Sequence, residues 1–377
     1  MIKIACSYFL QYIKIMPSQI LHSLFGEDLL VRLAERLELE DRIAAAYAKT
    51  LIEVHPGVFA LGCQGPDLFY HSQHRRPVAL EYGTLLHRRA YGNFVEALLR
   101  LAILETKTDL IAYALGFASH AFLDRASHPY IVCKAGWVIP SKPETLRYAR
   151  CHAFFERILD VLMLDRLRKL SASDWDQEGI LSTSCDTPPE ALPSLIETAL
   201  KKAFPKRAGK DEKLKNRIDN AFADSASFYR YTSPVRTSLK HWHHESAAHF
   251  ATNDGRSSLA LIYPEEFPSN IDYLNLGGVP WPHPCAEDKL DSLSFPDIYE
   301  QAIQSALPLF HLLVKSLSRA ASIDSIAVSE AIGNQGLSIL NAQGQPCSPL
   351  YASPLPLDLV LDAQYTLRMA SLEKSLD

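Results

Sequence analysis

One stretch of the sequence limits the fold more than any other, because it places three ionisable side chains in a segment of small and apolar residues. His120, Asp124 and His128 follow one another at intervals of four residues. On an α-helix this spacing puts all three side chains along one stripe of one face. Burying a carboxylate and two imidazoles is costly unless a partner compensates them. That partner is a divalent metal, which neutral His and ionised Asp both bind, or else a buried ion pair with a hydrogen-bonded core histidine.

Apolar residues recur at helical spacing through most of the remaining chain, and no strand pattern of any length is present. The sequence therefore predicts an all-α protein, a multi-helix bundle with long loops. We predict helices over residues 25–51, 82–104, 108–129, 144–170, 190–204, 211–249 and 296–320. The third of these should stop at Pro129 and the sixth should break near Pro234. One helical domain is predicted over 16–320, with an N-terminal extension over 1–15 and a C-terminal extension over 321–377 that has no assigned role.

A second helix offers further metal ligands at the same spacing as the first. His152 and Glu156 lie four residues apart in the predicted helix 144–170. For any single histidine, a core or surface position is the more common explanation. Two helices that each present ligands at i and i+4 favour a metal site instead. The candidate ligands, including one in the turn-rich segment 62–67, are His22, Asp67, His87, His120, Asp124, His128, His152 and Glu156.

Other motifs indicate less. His241, Glu245 and His249 are also four residues apart, but their flanks predict an amphipathic, partly solvated helix rather than a metal site. Cys63 and Cys151 stand near candidate ligands, and we interpret both as buried, unreactive thiols. The sequence contains no G-x-S-x-G elbow, no GK[ST] phosphate loop, no dinucleotide fingerprint and no HExxH motif. Those enzyme classes are therefore excluded.

Charge and cysteine content limit the environment and the partners of the protein. The net charge of −5 provides no general attraction to nucleic acid or to an anionic membrane. Seven cysteines without CxxC spacing do not indicate a disulfide framework. They favour a reducing compartment, and we predict a cytoplasmic protein, with secretion as the alternative if residues 1–15 act as a signal. No apolar run reaches the roughly 20 residues of a transmembrane helix.

Taken in order, several motifs resemble the bacterial zinc-dependent phospholipase C family. The resemblance covers residues 16–320 and is specific, because it depends on many motifs in sequence rather than on one pattern. Its motifs are Met16-Pro17, His22, Phe25-Gly26, Gly62-Cys63-Gln64-Gly65-Pro66-Asp67, Leu86-His87, Ser119-His120, Asp124, His128-Pro129-Tyr130, and His152 with Glu156, followed by Asp272-Tyr273-Leu274-Asn275 and Trp281-Pro282-His283-Pro284.

This resemblance implies an all-α fold that holds two or three zinc ions and cleaves phosphodiester bonds, a fold shared with zinc-dependent single-strand nucleases. It implies a phosphodiester substrate, such as a phospholipid with peripheral membrane contact, while the net charge of −5 makes nucleic acid the less expected substrate. It implies that Asp67 is both a ligand and the general base. The ligand sets that it implies are Asp67, His87, His120 and Asp124 for one zinc, His128, His152 and Glu156 for a second, and His22 with a bridging Asp124 for the third.

The sequence departs from the family pattern at two points. In the well-known phospholipases the mature N-terminal residue also binds the third zinc, whereas here fifteen residues precede Met16. The step from Asp124 to His128 is shorter than in those enzymes, so a structural histidine at the helix end stays the alternative for His128. Two other functions also stay open. One is a nuclease or general phosphodiesterase on the same cluster, and the other is a non-catalytic helical module in which zinc only stabilises the fold.

Overall fold

The computed structural model describes residues 18–242 and 258–374, and it is predominantly helical. The all-α prediction is confirmed. A 3₁₀ turn over Gly65–Phe69, another over Pro143–Tyr148 and a π-helical turn over Glu178–Ser182 connect longer helices. Within the described residues the α-helices are α1 (Ile20–Leu37), α2 (Arg42–Glu53), α3 (Pro56–Cys63), α4 (Leu80–Arg88), α5 (Tyr91–Leu104), α6 (Thr108–Ala135), α7 (Cys151–Arg168), α8 (Thr183–Asp186), α9 (Leu192–Ala203), α10 (Leu214–Tyr231), α11 (Pro234–Thr237), α12 (Phe295–Leu317), α13 (Ser325–Ile332) and α14 (Leu357–Lys374).

Helix α6 is the central element of the fold. Most of its residues are buried, and helices α1, α3, α5, α7 and α12 pack around it. A helix that is apolar on nearly every side has to be enclosed in this way, because its surface would otherwise be exposed to water. Polar side chains on α6 are therefore buried wherever they face a neighbouring helix.

Two glycines let α3 and α6 cross in backbone contact. A Cβ atom built on Gly116 would lie 2.4 Å from the carbonyl oxygen of Phe59, and one built on Gly62 would lie 2.3 Å from that of Tyr113. Both distances are shorter than real Cβ contacts, so only glycine fits at either position. This close crossing brings the turn after α3, which carries Asp67, beside the middle of α6.

Three predicted helices are in fact divided, besides the break expected near Pro234. The helix predicted over 144–170 begins as the 3₁₀ turn Pro143–Tyr148 and is α-helical only over Cys151–Arg168, because Arg150 between them has a left-handed φ of 69°. The helix predicted over 25–51 breaks before Arg42, because the Asp41 side chain accepts a hydrogen bond from the amide of Ala44 and starts α2 there. The helix predicted over 82–104 breaks at Ala90, which has a left-handed φ of 59°. The Ala90 amide donates a hydrogen bond to the carbonyl of Asn334, a contact far along the chain.

The prediction that α6 stops at Pro129 is wrong, because the helix continues to Ala135. A proline inside a helix costs about 3 kcal/mol through its lost hydrogen bond and steric clash. Beyond it, Tyr130, Ile131 and Cys133 are buried in the core. Burial of one large apolar side chain contributes about 1.5–3 kcal/mol, so this turn offsets the cost of the proline. The helix ends at Gly136, whose φ of 66° suits a glycine at that position.

A small sheet and a disulfide correct two further expectations. Strands β1 (Trp281–His283) and β2 (Ala286–Asp291) form an antiparallel hairpin with an irregular register after Pro282. Cys285 in its turn is bonded to Cys347, so the expectation that the cysteines form no disulfide framework is wrong for this pair. The two cysteines are 62 residues apart and carry no spacing signal. The cytoplasmic location stays a prediction.

The C-terminal region predicted as an extension packs against the helical body. The amides of Ser353 and Leu355 donate to the carbonyl oxygens of Cys133 and Lys134, at 3.1 and 2.8 Å. The side chains of Leu357 and Leu361 are fully buried. That residues 16–320 form the domain by themselves stays a prediction.

Residues 1–17, and with them the predicted N-terminal extension and Met16-Pro17, lie outside the described residues. No helix in the described part of the chain is long and apolar enough to cross a bilayer.

Candidate metal centre

The structure brings all eight predicted ligands into one buried cluster. They come from the first turn of α1, the 3₁₀ turn Gly65–Phe69, the end of α4, the middle of α6 and the start of α7. Three sets of three residues have potential ligand atoms within 4.8 Å of one another. These triads are His22, Asp67 and His120; His87, His120 and Asp124; and His128, His152 and Glu156.

The triads agree with the implied ligand sets in part. The His128 triad contains the three residues implied for the second zinc, although His128 follows Asp124 at a shorter step than in the family pattern. The four residues implied for the first zinc are divided between two triads that share His120. His22 falls in a triad with Asp67 and His120, and its Nε2 is also 3.5 Å from Oδ1 of Asp124, the residue with which the resemblance paired it. The assignment of individual residues to individual ions stays a prediction.

Asp124 lies at the centre of the cluster, and its two carboxylate oxygens face different partners. Its Oδ1 is 3.5 Å from both His22 Nε2 and His128 Nδ1. Its Oδ2 is 3.5 Å from His120 Nε2 and 4.0 Å from His87 Nε2. A carboxylate placed in this way has the geometry of a bridge between two ligand sets.

Backbone carbonyl groups fix the orientation of two of the imidazole rings. His87 Nδ1 is 2.8 Å from the carbonyl oxygen of Gly83, and His120 Nδ1 is 3.0 Å from that of Cys63. A carbonyl oxygen can only accept a hydrogen bond, so Nδ1 carries the proton in both rings. Each Nε2 then presents its lone pair to the interior of the cluster, which is the arrangement that metal-binding histidines require.

The cluster contains buried polar atoms that have no hydrogen-bond partner among the described residues. They are both carboxylate oxygens of Asp67, Asp124 Oδ2, Glu156 Oε2 and the Nε2 atoms of His120, His128 and His152. Unsatisfied buried polar atoms are rare and costly, and here several of them converge on one place. Imidazole nitrogens and carboxylate oxygens are the ligands of zinc. The residues present therefore fit the metal.

The electrostatics of the three carboxylates also indicate that a cation is needed. Burial raises the pKa of Asp67 and of Glu156 well above the usual range, and the charge of Asp124 raises both further. Burial acts on Asp124 in the same direction, but the imidazoles of His128 and His120 outweigh it and hold its pKa well below the usual range. The three groups cannot all be ionised unless a positive charge lies among them.

Two histidines are held in the neutral form that binds metal. Burial lowers the pKa of His87 and of His152, although the negative charge of Asp124 opposes the shift. Both rings are therefore neutral near pH 7. Metal affinity depends on neutral imidazoles, since a protonated ring has no lone pair to donate.

The remaining residues singled out from the sequence lie apart from this chemistry. Cys63 and Cys151 are fully buried, and burial raises the pKa of the Cys63 thiol to about 12, as expected of an unreactive thiol. His241 Nδ1 contacts the Ser238 hydroxyl at 2.9 Å. Its predicted partners Glu245 and His249 lie outside the described residues.

One supporting residue was not anticipated from the sequence. Asp160 is fully buried and accepts hydrogen bonds from the amides of Gln19 and Leu21, at 3.0 and 2.8 Å. It thereby holds the start of α1, where His22 lies, against α7. Its only sequence signal is its spacing of four residues from Glu156. The supporting carbonyl groups, by contrast, belong to the backbone and carry no sequence signal.

The comparisons with known proteins agree with this geometry. The family model described as zinc-dependent phospholipase C matches residues 21–227, which is more than half of the chain and includes all eight candidate ligands. No curated protein and no solved structure matches the chain significantly. The chain belongs to the zinc-dependent phospholipase C family.

Proposed function

We propose that this protein is a zinc-dependent phosphodiester hydrolase of the phospholipase C type. The observation that carries the proposal is the set of ligand triads arranged around Asp124 in one buried cluster. Family membership supports zinc and hydrolysis. A phospholipid is the substrate that we propose, with peripheral contact to a membrane. The net charge of −5 makes a long nucleic acid the less favoured substrate.

Zinc, when bound, would polarise the phosphoryl group and lower the pKa of a water molecule in the site. The residues that would hold it are the eight of the cluster, with two or three ions as the proposed number. We assign Asp67 the role of general base in addition to that of ligand. Its carboxylate oxygens have no hydrogen-bond partner among the described residues and lie 3.1 Å from His87 Nε2 and 3.6 Å from His120 Nε2, so they face the interior of the cluster, where they can accept a proton from the attacking water.

The approach of the substrate is proposed from the exposure of the cluster. The side chain of His152 is 21% exposed, whereas those of the other seven residues are at most 7% exposed. A phosphate group would therefore reach the cluster from the side of His152. The other seven residues are buried, which excludes bulk water from them and strengthens electrostatic interactions with the substrate.

The proposal is tested by zinc content and by hydrolysis of a small substrate panel. We expect more than one zinc per chain and cleavage of a choline-phosphate ester. Asp124→Asn should lower both zinc content and activity, the latter by at least about 100-fold, because it removes charge at the centre of the cluster. Asp219→Asn is the matched control, since among the described residues that carboxylate pairs only with Lys215, on the surface of α10.

Three results would contradict the proposal. Purified protein without stoichiometric zinc, together with unchanged hydrolysis by Asp124→Asn, would exclude the metal mechanism. Faster cleavage of single-stranded DNA than of the choline-phosphate ester would instead indicate a nuclease on the same cluster. Stoichiometric zinc without hydrolysis of any substrate would indicate a zinc-stabilised binding module.

A further inference from the structure

A short segment outside the part of the chain matched by the family model contacts the candidate metal centre. We call residues 332–337, which begin with the last residue of α13, the strap. The guanidinium group of Arg125, on α6 beside Asp124, donates hydrogen bonds to four of its backbone carbonyl groups. Those carbonyl groups belong to Ile332, Gly333, Gln335 and Gly336. A single planar cation thereby holds the whole turn of the strap.

The strap ends on two of the candidate ligands. The amide of Leu337 donates to the carbonyl oxygen of His87 at 2.9 Å. The carbonyl oxygen of Leu337 is 3.1 Å from His128 Nδ1 and accepts its proton. The same Nδ1 also contacts the carbonyl of Asp124 at 3.0 Å. Together these contacts place the ring proton of His128 on Nδ1 and leave Nε2 as the metal-binding atom. In the described part of the chain Nε2 has no hydrogen-bond partner.

The strap also lies against the junction that positions His87. The amides of Ala90 and Gly92, between α4 and α5, donate to the carbonyl groups of Asn334 and Gly333 at 2.9 and 3.0 Å. Gly336 approaches so closely that a Cβ atom there would lie 3.0 Å from the carbonyl oxygen of His87. The strap therefore joins the end of α4 to α6 across the edge of the cluster.

We propose that the strap is a positioning element of the zinc site and that Arg125 is the residue that anchors it. The backbone of Leu337 orients the ring of His128 and holds the backbone of His87 by hydrogen bonds. The position of the strap therefore affects both histidines. The inference rests on the proposed zinc site. Loss of a hydrogen bond that orients a metal-binding histidine typically weakens metal affinity about 10- to 100-fold.

The test uses the full chain and compares zinc affinity with folding. In Arg125→Lys the positive charge remains, but an ammonium group cannot reach four carbonyl groups at once. We expect zinc affinity, measured by competition with a chromogenic chelator, to fall about 10- to 100-fold for the ion bound by His128. The visible spectrum of the cobalt-substituted protein should also change, because the coordination geometry at that ion becomes less uniform.

Two further variants make the result interpretable. Gly336→Ala pushes the strap away from His87 by a few tenths of an ångström without removing any charge, and it should shift zinc affinity in the same direction by a smaller factor. It also provides the test if Arg125→Lys does not fold. Arg100→Lys is the control, because within the described part of the chain that arginine pairs only with Glu96, on the surface of α5. We expect wild-type affinity and spectrum for the control.

The outcomes distinguish the strap from the proposed function. Folded Arg125→Lys and Gly336→Ala proteins with wild-type zinc affinity and cobalt spectra would overturn the role of the strap and leave the hydrolase proposal standing. If both variants bind zinc more weakly and the wild-type protein cleaves no phosphodiester, the role of the strap is supported and the proposed function is overturned. A wild-type protein that binds no zinc would overturn both.

Discussion

The crossing of α3 and α6 provides a direct test of how the fold positions the cluster. Gly116→Ala introduces a methyl group that would lie 2.4 Å from the carbonyl oxygen of Phe59 and 2.8 Å from the amide nitrogen of Cys63. Comfortable contacts between non-bonded heavy atoms lie near 3.5 Å, so the two helices have to separate by about 1 Å. Overpacking of this kind costs about 1–3 kcal/mol of the free energy of unfolding.

The same displacement should reach the metal ligands. The carbonyl of Cys63 accepts the Nδ1 proton of His120, and Asp67 follows four residues after that carbonyl. When α3 moves away from α6, this hydrogen bond lengthens and Asp67 moves away from His120. We therefore expect zinc affinity to fall about tenfold or more, in addition to the loss of stability.

Urea unfolding of the metal-free proteins and zinc titration of the folded proteins measure the two effects separately. Gly209→Ala is the matched control, because a Cβ at that position meets no atom within 4 Å. Its unfolding free energy should stay within about 0.5 kcal/mol of wild type. If Gly116→Ala equals this control in both stability and zinc affinity, the two helices are not in the backbone contact described here.

Two other predictions concern residues that support the fold around the cluster. Burial lowers the pKa of His71 to about 3, so the folded protein keeps this ring neutral while the unfolded chain binds a proton below its pKa of about 6.5. The unfolded state is therefore favoured as pH falls from about 6.5 to about 3, by about 1.4 kcal/mol per pH unit. In His71→Phe, the loss of stability between about pH 7.5 and pH 5, measured by urea unfolding without metal, should be smaller than in wild type by about 2 kcal/mol. An equal loss in both proteins would show that His71 is protonated in the folded state. Asp160→Asn should cost about 1–3 kcal/mol, because the neutral amide is a weaker acceptor for the amides of Gln19 and Leu21, and it should weaken zinc binding at His22. Unchanged zinc stoichiometry and stability in this variant would contradict its proposed role in holding α1.

The fold class and the central ligands were predictable from local patterns. Spacing of four residues on a helix places His120, Asp124 and His128 on one face, as it does His152 and Glu156, whatever the rest of the chain does. The N-terminal cap of α2 at Asp41 also carries a local signal, since an aspartate before a helical segment is a common cap. Local geometry thus accounts for the helices that bear most of the ligands.

Other features depended on contacts between distant parts of the chain. The left-handed Ala90 is held by Asn334, and the disulfide joins Cys285 to Cys347 across segments with no shared pattern. The residues next to each cysteine do not indicate the Cys285–Cys347 bond, and the residues next to Ala90 do not indicate its left-handed conformation. The continuation of α6 through Pro129 was likewise decided by burial of the turn that follows it.

The sequence by itself determined that this protein is helical and which residues are candidates to bind a metal through their nitrogen and oxygen atoms. Helix periodicity and the order of motifs are properties of the chain, and they need no knowledge of packing. Only the tertiary structure brought Asp67 and His87 beside the candidate ligands of α6 and placed the carbonyl group of Leu337 against His128. These arrangements arise from backbone hydrogen bonds and close glycine contacts between distant segments, which depend on packing and not on the identity of neighbouring side chains.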